Sequence, residues 1–206
     1  MAAAASHGLR FDAGRICLDL MATAGPRAGD TPGELLPDPA RPAQWPAGAG
    51  LVPRDGPVRI GADRPRRFRS LRELLHRAVH GELAGRTPDG DIARLNETAL
   101  AAPPAPPAPR AVRGRDGALR RALAAPPTCE QLLGAVARDA VDLLADPAAR
   151  ARLRRCEGEA CPLVHPDSSR GGRRRWCSSE TCGDRERAAR HRRRTAGEHR
   201  PVPHPR

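Results

Sequence analysis

The stretch Arg173–Arg194, RRRWCSSETCGDRERAARHRRR, sets two cysteines and one of the chain's two tryptophans among nine arginines. Upstream lies a second cysteine pair in CEGEAC. Cys156 and Cys161, then Cys177 and Cys182, have four residues inside each pair and fifteen between the pairs. Two short-spaced pairs joined by a loop are what a tetrahedral zinc site needs, because each tight turn supplies two thiolates and the loop brings the turns together. The inner spacing is wider than the commonest two, which leaves four clustered free thiols as the alternative reading. Thiolates ligate only when deprotonated, and flanking arginines with the start of a following helix stabilise anionic sulfur. Four thiolates leave a zinc ion no open position for water, so the expected metal is structural.

Beyond Cys182, Asp184 is expected to cap a helix in which Glu186 and Arg190 pair four residues apart. At about 100° per residue, Arg187, Arg190 and Arg194 share one face and Ala188 and Ala189 lie roughly opposite. The pattern predicts a helix packed on the zinc core through its alanines, with arginines outward; the alternative is a solvated basic tail. Arg173, Arg174, Arg175, Arg185, Arg187, Arg190, Arg192, Arg193 and Arg194 are the candidate DNA contacts, through phosphates. Trp176 is expected to pack over the zinc knuckle, with stacking on bases as the alternative. His165 is expected to be exposed in the loop between the pairs, with ligation or catalysis as the alternative. Cys17 and Cys129 stand alone in apolar settings and read as small hydrophobes.

The formal charge of +12 over 206 residues favours a polyanionic partner, since such a field concentrates phosphates near the surface. Every basic side chain is arginine, which suits phosphate and guanine contacts and equally fits the codon usage of a GC-rich genome. Aromatic residues make up 2%, with no tyrosine, while 23 prolines and 20 glycines interrupt the chain, so a thin core of Leu, Val and Ala is expected. The start MAAAASHGLRF lacks the features of a secretory signal, and no run of about 18 apolar residues occurs, so a soluble cytoplasmic protein without a membrane partner is expected. In a reducing cytosol six cysteines are poor candidates for a disulfide framework.

Along the chain, Leu9–Gly25 reads as a strand entering a short helix. Pro26–Pro65 reads as a meander carrying Trp45 into a shallow core. Ser70 and Glu73 form a capping box ahead of Leu71, Leu74, Leu75, Ala78 and Val79. DIARLNETAL follows an aspartate–glycine turn, with Ile92, Leu95 and Leu100 on one side. The proline run Pro103–Pro109 is a stiff spacer. Thr128 and Gln131 make another capping box before the wide stripe Leu132, Leu133, Val136, Ala137, Ala140, Val141 and Leu144. Asp146 and Pro147 start one further helix. The expected fold is mainly α: a helical N-terminal domain over residues 9–146, a four-cysteine zinc finger over 147–196 and a disordered tail over 197–206. The two parts are expected to be thermodynamically separable.

The segments RLRRCEGEAC, DSSRGGRRRWCS and CGDRERAARHRRR resemble the CGNR zinc finger family, whose name-giving tetrapeptide reads CGDR here, Cys182–Arg185. More weakly, ICLDLMAT, QWPAGAGL, LRELLHRAV, RLNETALAA and DAVDLLADP are similar to successive pieces of the ABATE domain that usually precedes this finger in actinobacterial proteins. The resemblance implies a stress-responsive transcription regulator with a zinc-binding, DNA-binding C-terminus and duplex DNA as partner. Asp184 departs from the motif's asparagine: the capping role survives, but an acid repels phosphate and prefers cytosine's amino group. LVHPDSS also lacks the aromatic residue common there. An RNA-binding or protein-interaction finger is the alternative. A third reading makes the N-terminal domain a sensor of a small-molecule effector or an enzyme, with Cys17 and Asp19 as its only suggestive pair. No nucleophile and base constellation surrounds them, so no enzymatic activity is expected.

Overall fold

Leucine, valine and alanine supply most of the buried apolar side chains, as so aromatic-poor a chain requires. The computed structural model describes residues 8–28, 31–36, 41–54, 63–101, 108–158 and 161–198. Its elements run α1 (Ile16–Met21), β1 (Ala24–Ala28), β2 (Thr31–Glu34), α2 (Arg41–Gly48), α3 (Arg64–Leu83), α4 (Asp89–Leu100), β3 (Pro109–Arg113), β4 (Leu119–Leu123), α5 (Cys129–Ala145), α6 (Pro147–Ala151), β5 (Leu153–Arg155), β6 (Val164–Pro166), a π-turn (Ser179–Gly183) and α7 (Asp184–Glu198). The fold is mainly α, with three separate two-stranded antiparallel ribbons among the described residues.

Helices α3, α4 and α5 pack on one another, α1 lies across α3 and α5, and α2 rests on α3. In α5 the predicted capping box forms: Gln131 N–H donates to Thr128 Oγ1 (3.2 Å), and Thr128 N–H donates to Gln131 Oε1 (2.8 Å). Its stripe from Leu132 to Leu144 is buried, apart from the half-buried Val141. Asp146 then accepts from Ala148 N–H (2.8 Å) and Pro147 opens α6, as the sequence predicts.

Helix α3 begins six residues before the predicted Ser70 box. Pro65 suits the first turn, and Phe68 meets Trp45 edge-to-face at 5.7 Å, so burying two aromatic rings extends the helix past the local cap signal. Ser70 lies inside α3, its hydroxyl donating to the Arg66 carbonyl. Trp45 is buried on α2 rather than carried by a meander. In α4 the aspartate–glycine pair is the first helical turn, and Ala99 is buried where Leu100 stands 81% exposed. In Leu9–Gly25 a loop leads into α1 and only then into β1, the reverse of the expected order. Arg72, buried on α3, donates to both oxygens of Glu34 at 2.8 Å and ties the first ribbon to the helices. Most of the proline spacer, residues 103–107, and the tail from residue 199 lie outside the described residues.

The apolar core runs across the expected boundary at residue 146. Leu153 and Val164, from the β5–β6 ribbon that carries the first cysteine pair, belong to the cluster of the helical part. Ala22, from the start of the chain, packs with Leu163 and the cysteines. The two parts are interlocked.

Candidate metal centre

The four cysteines converge. Cys156 follows β5 and its N–H donates to the Leu163 carbonyl (2.8 Å), closing the knuckle that presents Cys156 and Cys161. Cys177 precedes the π-turn and Cys182 lies within it, where Ser178 Oγ accepts from Thr181 N–H (3.2 Å). Ser178 is therefore the cap that starts this helical run. The predicted cap, Asp184, lies inside it with right-handed helical φ and ψ and pairs with Arg187.

All four Sγ atoms lie within 4.8 Å of one another, with Cys161–Cys177 at 3.8 Å and Cys177–Cys182 at 3.6 Å. Sulfurs at about 2.3 Å from a tetrahedral zinc stand about 3.8 Å apart, so the cluster has the dimensions of such a site. Backbone N–H groups of Cys177 and Gly158 donate to Cys156 Sγ at 3.3 and 3.4 Å. These dipoles, like the cation described next, stabilise negative sulfur. The cluster fits zinc: Cys156, Cys161, Cys177 and Cys182 would hold it as four thiolates, which would leave no position for water.

The cation at the sulfurs is Arg10. Its Nη1 donates to Cys177 Sγ at 3.3 Å from 167 residues away. None of the arginines beside Trp176 takes that place: Arg174 is turned to the Trp176 carbonyl (3.0 Å) and the Cys177 carbonyl, where it braces the knuckle. The Cys177 thiol is drawn down to about 4, chiefly by its hydrogen bond with the Cys161 thiol and further by Arg10. Burial, with the same sulfur nearby, pushes Cys182 up to about 11. All four cysteines would hold zinc as thiolates, so binding would release the protons that the thiols still carry.

A Cβ on Gly158 would come within 3.1 Å of Cys182 Cβ and 3.2 Å of its Sγ. The knuckle therefore needs glycine for space. Gly158→Val is expected to weaken zinc binding at least about tenfold, with Gly158→Ala intermediate, in competition against a chromophoric chelator. Unchanged affinity in the valine variant would show that the knuckle relaxes freely.

His165 is fully buried on β6, paired in register with Arg154, and not exposed as its loop position suggested. Burial lowers its pKa, and its Nε2 has no hydrogen-bond partner, so it is a neutral core residue outside the sulfur cluster. Trp176 is half-buried against the cysteines, with Arg175 over its ring at 5.2 Å. Cys17 is buried with its N–H donating to Asp139 (2.9 Å), and Asp19 accepts from Ala13 N–H (3.0 Å). Burial raises the Asp19 carboxyl to about 6. Both side chains are packed into local structure. Cys129 is half-buried at the start of α5.

The arginines sort into three groups. Arg174 is a brace, and Arg175 pairs with Glu157 at 2.5 Å. Arg187 folds back on Asp184 and the Ser179 carbonyl. Arg173, Arg185, Arg190, Arg192, Arg193 and Arg194 are exposed. Helix α7 keeps the predicted face of Arg187, Arg190 and Arg194 exposed, but only one of the two alanines turns in: Ala188 is exposed, and the half-buried side chains are Glu186 and Ala189. The helix has the π-turn as its main packing neighbour and otherwise projects, so Ala188 faces solvent between Arg185 and Arg192.

Residues 14–147 match the ABATE family, described as "putative stress-induced transcription regulator". The chain belongs to this family. In this ABATE protein residues 152–195 match the CGNR zinc finger, a span that contains all four clustered cysteines and most of α7. No curated protein matches the chain. No helix among the described residues is long and apolar enough to cross a membrane.

Proposed function

We propose that this protein is a non-enzymatic, zinc-dependent transcription regulator of the cytoplasm that binds duplex DNA through its finger. The observation that carries the reading is α7, a projecting helix in which six of the ten residues from Arg185 to Arg194 are arginine. Helix α7 starts directly beyond the fourth zinc ligand, so metal binding fixes where it leaves the body. A bare helix of that charge gains nothing from the apolar core. Neutralising phosphates and releasing their counterions gives it a use, and a helix fits the DNA major groove. Exposed Ala188 supports this orientation, because a small side chain lets the backbone come close to the groove wall while Arg185 and Arg192 reach to either side. The family's description as a transcription regulator points the same way.

The test is competition. Zinc-loaded full-length protein on a labelled random-sequence duplex is expected to be displaced by unlabelled duplex at concentrations at least about tenfold below those of a structured RNA of equal length. Displacement by RNA at the lower concentration, or no binding to either polymer, overturns the duplex reading and favours an RNA or protein partner for the same arginines.

A further inference from the structure

The ribbon β3–β4 is built as an arm. Its register pairs Arg110 with Ala122, Ala111 with Arg121, Val112 with Arg120 and Arg113 with Leu119. Neither strand edge pairs with another strand among the described residues, and most of its side chains are exposed, Leu119 to 67%. A lone two-stranded ribbon is marginal in water. This one is instead held by its turn: Gly114 N–H donates to the Ala118 carbonyl (2.8 Å), Gly117 takes a φ of 76°, and Asp116 accepts from Ala118 N–H (3.2 Å) and pairs with Arg120 (2.8 Å). At the base, Leu123 reaches the core of the helical part. The local turn chemistry thus keeps an extended element ordered where the core does not reach.

The ribbon carries five arginines against one aspartate. Arg110, Arg115 and Arg121 make no ion pair among the described residues. Arg110, Arg120 and Arg121 line one open cleft with Arg54, but Arg113 and Arg115 lie outside it. By the alternation of a strand, Arg110 lies on one face with Arg120, Arg113 and Arg121 lie on the other, and Arg115 sits in the turn. A small anionic ligand needs its cations on one side. Protection of a strand edge or simple solubility is met by a few charges of mixed sign. A narrow ribbon lodged in a nucleic-acid groove meets phosphate strands on both sides and at its tip, and the DNA major groove admits a two-stranded ribbon.

We propose that Pro109–Leu123 is a second DNA-contacting element, a basic ribbon arm in the ABATE part that grips the duplex alongside the finger. The proposal rests on the duplex-binding reading above. Full-length zinc-loaded protein and the variant R110A/R113A/R115A/R121A are titrated on a labelled random-sequence duplex of about 30 base pairs at several salt concentrations, beside a variant with glutamine at the same four positions. Both variants are expected to keep their zinc and thermal transition, to bind on the order of ten- to a hundredfold more weakly at about 0.1 M salt, and to flatten the salt dependence by about 0.9 for each phosphate that is no longer neutralised. Lysine at the four positions is expected to restore most of the binding. If the unaltered protein binds the duplex and the glutamine variant matches it in affinity and slope, the arm is overturned and the finger reading stands. If the unaltered protein binds no duplex, both fall. A change of oligomeric mass in the variants without a change of salt slope would make the ribbon an interface between copies and also overturn the arm.

Discussion

Cys177→Ser is expected to empty the zinc site and to destabilise far more than the finger. Cys177 stands within 3.6 to 3.8 Å of two other ligands, takes the Arg10 hydrogen bond and donates its own N–H to Cys156 Sγ. No other side chain in the sulfur cluster can replace it. Zinc held by four thiolates in a small finger is worth about 10–16 kcal/mol of binding, and that binding energy is folding energy. Its loss reaches the helical part because Leu153 and Val164 are buried there and Ala22 is buried among the cysteines. Metal analysis is expected to show one equivalent of zinc in the unaltered protein and well below half in the variant. The melting temperature is expected to drop by roughly 10 °C or more, since each kcal/mol is worth about 2–4 °C in a chain of this size. Cys129→Ser, outside the cluster, is the control and should change neither. A Cys177 variant that keeps a full equivalent of zinc would remove this site as the metal centre. Zinc loss with an unmoved main transition would restore the separable halves that the sequence suggested.

That contrast marks what could be read from the sequence. The ligands were legible because a zinc knuckle is local: four residues separate each pair, and chemistry at that range leaves a spacing in the chain. The start of α5 was legible for the same reason, since Thr128 and Gln131 satisfy each other's backbone partners within one turn. Signals of this kind misled where burial outweighed them. Ser70 and Glu73 are a sound capping box, yet the Phe68–Trp45 contact carries α3 past it. His165 looked exposed beside two prolines, but its register on β6 turns it inward.

Arg10 was not legible at all. A residue 167 positions from its sulfur has no spacing to betray it, and the charge at the metal centre was assigned to the nearest arginines in sequence instead. The interlocked core has the same origin. Leu153 lies just past the predicted boundary, in a segment whose cysteine suggests an autonomous finger, and only the fold shows its side chain among those of α5 and α3.

Alanine at Arg185, Arg192 and Arg193 is expected to weaken duplex binding more than alanine at Arg187, Arg190 and Arg194. Helical spacing alone ranks the two sets the other way, because the second set shares one face. The structure reverses the ranking. Arg187 is already bonded to Asp184 and the Ser179 carbonyl, so recruiting it to a phosphate disrupts existing bonds, whereas Arg190 and Arg194 are exposed. Arg185, Arg192 and Arg193 are exposed, and the first two flank the exposed Ala188. If each of the three neutralises one phosphate, their removal flattens the salt slope by up to about 2.7 and lowers affinity on the order of a hundredfold at about 0.1 M salt. For the second triple the expected change in slope is that of about two phosphates, through Arg190 and Arg194. Ala188→Gln tests the same geometry from the other side: on a face that meets the groove wall it obstructs approach and weakens binding, and on a face that packs inward it lowers zinc retention first. Equal effects from the two triples would show that α7 binds as an unoriented cationic rod. A greater effect from the second triple would return the working face to Arg187, Arg190 and Arg194 and require the bond to Asp184 to open when DNA binds.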